Sequence, residues 1–140
     1  MSIQEVDQVS ITILMDNSTD LLLKNSTHAT RAPLTMNEKF VLPPPIAEHG
    51  FSALVDVVKY DKNSYTKSNN NIFLFDTGVS ENGVIHNIDV FGINFDQIQG
   101  IILSHGHFDH FTGLVNIIAF EATVVDIAEK LFPLMHIYTA

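Results

Sequence analysis

Four side chains that commonly bind metal ions lie close together in the 140-residue sequence. They are His105, His107, Asp109 and His110, directly after the apolar run at residues 101–103. In an extended segment, residues two positions apart point to the same side with Cα atoms about 6 to 7 Å apart, so His105 and His107 can converge on one ion. Asp109 and His110 can address a second ion where the chain turns. The spacing therefore predicts a metal site with up to two ions.

The composition around this cluster favours cations. The chain has 16 Asp and Glu against 7 Lys and Arg, and no basic residue lies between Lys67 and Lys130. Such a segment attracts cations and repels phosphate backbones, which argues against a nucleic-acid partner. The absence of Cys excludes a disulfide framework, a Cys-rich zinc finger, an iron–sulfur cluster and a Cys nucleophile. Only His and carboxylate ligands remain.

The sequence carries no signal for a membrane. Residues 1–10 contain Glu5 and Asp7 and lack the cationic start and apolar core of a signal peptide. No run approaches the roughly 18 apolar residues of a membrane span. We therefore expect a soluble, cytoplasmic protein without a membrane partner.

Short apolar runs alternate with turn residues and with helical periods, which predicts an α+β fold. Helices are expected over residues 82–91 and in one or two pieces over residues 114–131. Residues 25–47 have no clear period and contain four prolines, so we expect an extended loop there. The predicted strands are residues 9–15, 21–24, 51–59, 72–75, 101–103 and 135–138.

The motif His105-x-His107-x-Asp109-His110 after a strand, with Asp76-Thr77-Gly78 after an earlier strand, resembles the metallo-β-lactamase superfamily. Two further segments, residues 16–17 after the first strand and residues 47–52, are similar to a subgroup that contains the archaeal dihydropterin ribofuranosyl-aminobenzene phosphate synthases. The resemblance runs from about residue 9 to residue 138. It implies an αββα sandwich of two mixed sheets flanked by helices, with a metal centre at the sheet edge.

The resemblance also implies an activity and a role for each residue of the motif. His105 and His107 would bind the first metal, and Asp109 and His110 the second. The ions would be Zn²⁺, and a metal-bound hydroxide would attack a small-molecule substrate in a hydrolysis, with Asp109 as the catalytic residue that orients it. Gly106 would leave room for close approach of the backbone.

Asp76 and His49 are candidates outside the cluster. The resemblance makes Asp76 a residue that supports the ligand loop without touching metal, although a turn or helix cap is compatible with the same position. Asp-Thr-Gly is also the signature of aspartic proteases, but that interpretation leaves the His cluster unexplained. His49 either lines the substrate pocket or ends a turn before a strand. The remaining histidines are expected to be structural, with His28 and His86 at the surface and His136 in packing.

The family pattern continues beyond these motifs with a third His, an acidic bridging ligand and a final His, and none of these is found here. We therefore interpret residues 1–140 as the N-terminal part of a single metallo-β-lactamase-like domain. Two ligands per ion predict weak binding and a hydrolase that is inactive or incomplete as this chain alone. Two alternatives stay open. The chain either belongs to a synthase-like transferase, or is a non-catalytic half-domain that pairs with a second copy or with a missing C-terminal half.

Overall fold

A four-stranded mixed sheet contains most of the strand residues in the part of the chain that the structure describes. The computed structural model describes residues 5–32, 35–36, 39–40, 43–61 and 67–122. A 3₁₀ turn at Phe95–Gln97 precedes the last strand of the sheet. The elements in chain order are β1 (Gln8–Met15), β2 (Thr35–Met36), β3 (Lys39–Phe40), β4 (Ser52–Tyr60), β5 (Lys67–Phe75), α1 (Gly83–Val90), β6 (Ile98–Ile102), α2 (Phe108–Phe111) and α3 (Leu114–Ala122).

The strand order in the main sheet is β1-β4-β5-β6. The pairs β1–β4 and β4–β5 are antiparallel, with Ile11 opposite Val55 and Val55 opposite Phe73. The pair β5–β6 is parallel, and α1 lies in the connection between these two strands. A parallel pair requires such a crossover because the chain must return to the same end of the sheet. The strands β2 and β3 form a separate two-stranded ribbon.

One face of the sheet packs against the helices and forms the core. Leu14, Leu54 and Leu74 are buried there against Val84 and Ile88 of α1. The other face, which we call the outer face, carries the alternate residues of β1. Val9, Ile11 and Ile13 are 52%, 64% and 47% exposed. These alternate apolar side chains of β1 therefore lie outside the core.

Much of the predicted α+β fold is confirmed. The expected strands at 9–15, 51–59 and 72–75 correspond to β1, β4 and β5, and the expected helix at 82–91 corresponds to α1. The mixed sheet with a few helices is consistent with a partial metallo-β-lactamase-type fold. The expected strand at 135–138, with His136, lies outside the described residues, as does the later part of the helical prediction.

Three local predictions were wrong. Residues 21–24 form a turn instead of a strand, and Leu21, Leu22 and Leu23 are exposed. Residues 25–47 are not one continuous loop, because they contain β2 and β3. The strand predicted at 101–103 as buried starts earlier, at Ile98, and its last residue Ile102 is 37% exposed. In the described part of the chain, no helix is long and apolar enough to cross a membrane.

Candidate functional site

Four chain segments meet at one end of the sheet, where β1, β5 and β6 end and β4 begins. We call this end the site edge. The segments are residues 16–17, 47–51, 76–80 and 104–113, and backbone hydrogen bonds join them. The Thr77 amide donates to the His110 carbonyl at 2.7 Å, and the Gly78 amide donates to the Phe51 carbonyl at 3.1 Å. The strand directions therefore explain how motifs far apart in the sequence come together.

Asp76 is the buried centre of the site edge, with 1% of its surface exposed. Its Oδ1 accepts a hydrogen bond from the Ser104 amide at 2.8 Å. Its Oδ2 accepts from the Ser104 hydroxyl at 2.7 Å and from His110 Nδ1 at 2.7 Å. The backbone of Asp76 has a φ of 55°, a left-handed conformation that Asp and Asn adopt more readily than most residues. An aspartate therefore suits this position both by the hydrogen bonds of its side chain and by its tolerance of the left-handed backbone.

The Asp76 carboxylate fixes the protonation pattern of two imidazoles. A carboxylate only accepts, so His110 Nδ1 carries a proton, and in the neutral ring His110 Nε2 keeps its lone pair. The Ser104 hydroxyl gives its single proton to Asp76. Its oxygen therefore accepts from His105 Nδ1 at 2.8 Å, and His105 Nε2 is likewise left with a lone pair. Lone-pair nitrogens on oriented rings are what a metal ion requires.

His105 and His107 face each other across the turn formed by residues 104–110, which we call the histidine turn. His105 Nε2 and His107 Nδ1 are 3.0 Å apart, and the ring centroids are 4.5 Å apart. Two nitrogens that each lie about 2.0 to 2.1 Å from one tetrahedral zinc ion would be about 3.3 Å apart. The observed separation is close to that value, although without metal it is a hydrogen bond in which His107 Nδ1 donates to the lone pair of His105 Nε2.

Asp109 and His110 form a second pair of donor atoms. Asp109 Oδ2 lies 3.6 Å from His110 Nε2, the nitrogen left free by Asp76. The same oxygen lies 3.4 Å from His49 Nε2, on a side chain that is 72% exposed. His49 is thus beside the cluster, where a pocket residue was expected, although its role stays a prediction.

The donor atoms suit zinc in type, and the ring centroid of His105 lies 4.5 Å from that of His107 and 4.2 Å from that of His110. Among the residues that the structure describes, no group of three or more His, Asp or Glu side chains is arranged to hold a metal ion. Three or four protein ligands are usual for zinc. Among the described residues, the site edge therefore lacks a complete metal site.

Two glycines allow the segments of the site edge to approach closely. A Cβ on Gly50 would lie 2.3 Å from the Asp109 carbonyl oxygen, and one on Gly113 would lie 2.2 Å from the Thr77 carbonyl oxygen. Gly50 also has a φ of 123°, which side chains rarely allow. Gly106 is different, because no atom lies within 4 Å of an added Cβ. There is thus room at Gly106, as expected, but no backbone among the described residues approaches it.

The remaining histidines and the protease alternative can be placed as well. His28 is exposed, as expected. His86 was expected at the surface but is partly buried, with Nε2 2.9 Å from the Pro44 carbonyl oxygen. The carboxylate of Asp76 is buried and bonded to Ser104 and His110, so it is not available as an aspartic-protease catalyst.

Sequence reasoning did not identify Ser104, Glu48 or Gly50 as functional. Ser104 connects Asp76 to His105, and Glu48 and Gly50 hold the loop that carries His49. Their only sequence signal was their position next to the motif residues.

The chain belongs to the metallo-beta-lactamase superfamily, whose sequence model matches residues 63–135, a little over half of the chain. The match includes Asp76 and the whole histidine turn.

Two curated relatives come from the archaeon Methanocaldococcus jannaschii. The 7,8-dihydropterin-6-methyl-4-(beta-D-ribofuranosyl)-aminobenzene-5'-phosphate synthase is 38% identical over 71 residues, which are 51% of this chain and 22% of the synthase. An uncharacterized protein is 36% identical over 72 residues, which are 51% of this chain and 23% of that protein. The aligned part of the chain thus spans less than a quarter of either relative.

Proposed function

We propose that this chain contributes the first half of the metal site of a zinc-dependent hydrolase. The observation that carries the proposal is the pairing of donor atoms, His105 Nε2 with His107 Nδ1 and Asp109 Oδ2 with His110 Nε2. Bound zinc supplies a Lewis acid and lowers the pKa of a coordinated water to about 7. Phosphoester, thioester and lactone bonds are suitable substrates for such chemistry.

Each residue of the proposed site has a distinct task. His105 and His107 would hold the first ion, and Asp109 and His110 the second. Asp109 would also orient the attacking water, because its Oδ2 faces the cluster. Asp76 would not touch metal and would keep the rings of His105 and His110 in their tautomers, a role that typically changes metal affinity 10 to 100-fold. His49 would line the pocket beside Asp109.

The proposed site is incomplete within this chain. Two protein ligands per ion fall short of the usual three or four, so binding should be weak and the remaining ligands should come from outside the described residues. The full activity then needs a C-terminal half, either continuous with this chain or supplied by another one. A cytoplasmic location remains a prediction from the sequence.

Zinc titration by calorimetry, with metal content measured after dialysis, tests the proposal. We expect about two ions per chain with micromolar or weaker affinity and no phosphodiesterase or esterase turnover. His105→Ala with His107→Ala should remove one ion, whereas His28→Ala, an exposed histidine away from the cluster, should remove none. Absence of any zinc binding would refute the metal site, and submicromolar binding with turnover would refute its incompleteness.

A transferase is the second candidate, and the likeness to a synthase supports it. The relative named as an aminobenzene-phosphate synthase shares 38% identity over half of this chain. Transfer chemistry on a phosphoribosyl substrate would use the same donor atoms. Product analysis distinguishes the two, because transfer joins a pterin to an aminobenzoate phosphoribosyl adduct and hydrolysis releases fragments only. The assay requires the chain together with its C-terminal half.

A half-domain that pairs with a partner is the third candidate, and the outer face supports it. Val9, Ile11 and Ile13 form an exposed apolar row on the sheet, and such a row is a common feature of an unoccupied interface. Sedimentation of the purified chain tests this idea. Self-association would favour a homodimer, and a stable, well-behaved monomer would count against pairing through this face.

A further inference from the structure

We infer that Glu48 is a positioning residue that holds His49 beside Asp109. The inference deepens the proposed function, on which the role of His49 rests. It concerns the loop of residues 47–51, which runs along the site edge before β4. Glu48 has no part in the proposed metal site, and its carboxylate bonds away from the cluster, toward Ser80.

The backbone on both sides of His49 is fixed. The Glu48 amide donates to the Asp16 carbonyl at 3.2 Å, and the Gly50 amide donates to Asn17 Oδ1 at 3.2 Å. The side chain of His49 between them is 72% exposed and lies 3.4 Å from Asp109 Oδ2. An exposed polar side chain on a firmly held backbone is the arrangement expected of a residue placed for contact with a ligand.

The Glu48 side chain ties the same loop to the start of α1. Glu48 Oε1 accepts a hydrogen bond from Ser80 Oγ at 2.8 Å, and Ser80 Oγ accepts one from the Gly83 amide at 2.9 Å. The side chain of the N-cap residue, Asn82, makes no cap hydrogen bond. A carboxylate near a helix N-terminus is stabilised by the helix dipole. Glu48 and Ser80 thus take over the capping of α1.

The fit of the Glu48 carboxylate depends on Gly83. A Cβ on Gly83 would lie 2.8 Å from each carboxylate oxygen of Glu48 and 2.7 Å from Ser80 Oγ. Within the described part of the chain, Glu48 Oε2 is buried without a hydrogen-bond partner. A buried unsatisfied carboxylate oxygen is costly, and helix capping alone could be done by a smaller side chain. Anchoring the loop that carries His49 gives a reason for a long acidic side chain here.

The consequence for the site is an accessible imidazole next to Asp109. Asp109 Oδ2 lies 3.6 Å from His110 Nε2 and 3.4 Å from His49 Nε2. His49 is the more exposed of the two rings, so a substrate oxygen that approaches Asp109 meets the His49 imidazole as a hydrogen-bond donor. The chemistry recognised would be an oxygen-rich or anionic group attached to the bond that is cleaved.

The test is NMR of the metal-free full chain, with nuclear Overhauser effects between the His49 ring and the side chains of Asp109 and His110 as the readout. In Glu48→Ala these effects should fall by at least half, since the link to Ser80 is lost. Glu48→Gln keeps an acceptor for the Ser80 hydroxyl and should retain them. Glu81→Gln, the same change at an exposed carboxylate of the neighbouring loop, should leave them unchanged.

Gly83→Ala separates positioning from stability. The added methyl group should displace the Glu48 carboxylate and weaken the His49 contacts, while Ala favours the helix more than Gly does. The melting temperature should then change little while the His49 signals change. If Glu48→Ala does not fold, the nuclear Overhauser effects of His49 can be measured in Gly83→Ala instead.

Unchanged His49 contacts in folded Glu48→Ala or in Gly83→Ala would overturn the inference. Because no metal is present, a failure of zinc binding would leave this result unaffected. Conversely, normal zinc binding in Glu48→Ala together with lost His49 contacts would support both proposals.

Discussion

The site edge buries polar side chains, whereas the outer face of the same sheet exposes apolar ones. At the site edge, the buried polar group of Asp76 is hydrogen-bonded to Ser104 and His110, whereas Glu48 Oε2 is buried without a partner among the described residues. On the outer face, apolar groups such as Ile11 are exposed. Both departures are costly for an isolated fold, but only the first is compensated by hydrogen bonds within the described residues. The site edge is thus held together by its own hydrogen bonds, whereas the outer face leaves apolar side chains exposed.

Gly50→Ala should break the site edge most severely. The new Cβ would meet the Asp109 carbonyl oxygen at 2.3 Å in a backbone with φ of 123°. Strain and overpacking together should lower the free energy of unfolding by about 3 kcal/mol or more in urea denaturation. Gly106→Ala is the matched control, because open space surrounds it, and it should change stability by less than about 0.5 kcal/mol. Equal effects of the two changes would contradict the close approach described at Gly50.

Asp76→Asn should have the next largest effect, on zinc affinity. Asn tolerates the left-handed backbone at this position, but its NH2 group would replace one of the two accepting oxygens and would face either the Ser104 amide or the Ser104 hydroxyl and His110 Nδ1. The affinity for zinc should fall about 10 to 100-fold in calorimetric titration. Asp96→Asn, at an exposed carboxylate on the 3₁₀ turn, should leave the affinity unchanged. An unaltered affinity in Asp76→Asn would show that the ring tautomers do not depend on this carboxylate.

Ser104→Ala should have a smaller effect of the same kind. It removes the link from Asp76 to His105 but leaves the Ser104 amide bonded to Asp76 Oδ1 and His110 bonded to Asp76 Oδ2. The change removes the two hydrogen bonds of the Ser104 hydroxyl, to Asp76 Oδ2 and from His105 Nδ1, and each typically contributes about 1 kcal/mol to stability. Zinc affinity should fall less than in Asp76→Asn, measured in the same titration. A larger fall than in Asp76→Asn would show that Ser104 contributes more to zinc affinity than Asp76 does.

Ile11→Thr should have the smallest effect, because it changes only the outer face. Ile11 is 64% exposed, so the free energy of unfolding should change by at most about 0.5 kcal/mol. Ile72→Thr, at a buried strand position in the core, should cost about 2 kcal/mol. Any self-association seen by sedimentation should weaken in Ile11→Thr. A stability loss equal to that of Ile72→Thr would mean that the outer face is already covered.

The sequence predicted the elements with a clear period and the residues with distinctive chemistry. Residues 9–15 alternate as a strand does, and residues 82–91 repeat as a helix does, and both were found. The run at 21–24 was predicted as a strand from its leucines alone. It forms a turn in which the Leu22 amide donates to Asp20 Oδ1 and the Leu23 amide donates to the Asp20 carbonyl, and the leucines lie outside the core.

The parts that could not be predicted are contacts across the site edge. Glu48 lies 32 positions from Ser80, and Asp76 lies 28 positions from Ser104. Neither pairing has a local signal, since each depends on how strand ends meet. For the same reason the need for Gly50 was missed, while Gly106, inside the motif, has the expected room but no described backbone close to it. Proximity in the sequence to a motif was a poor guide to proximity in space.

The hydrogen bonds of Asp76 also make the orientation of the site dependent on the folded chain. This carboxylate reaches His110 across 34 positions of the chain, and closing such a loop has an entropic cost that the sheet must offset first. A peptide of residues 104–110 would contain all four candidate ligands without the carboxylate that orients two of the rings. The oriented rings are therefore a product of folding, and metal uptake should follow the formation of the sheet.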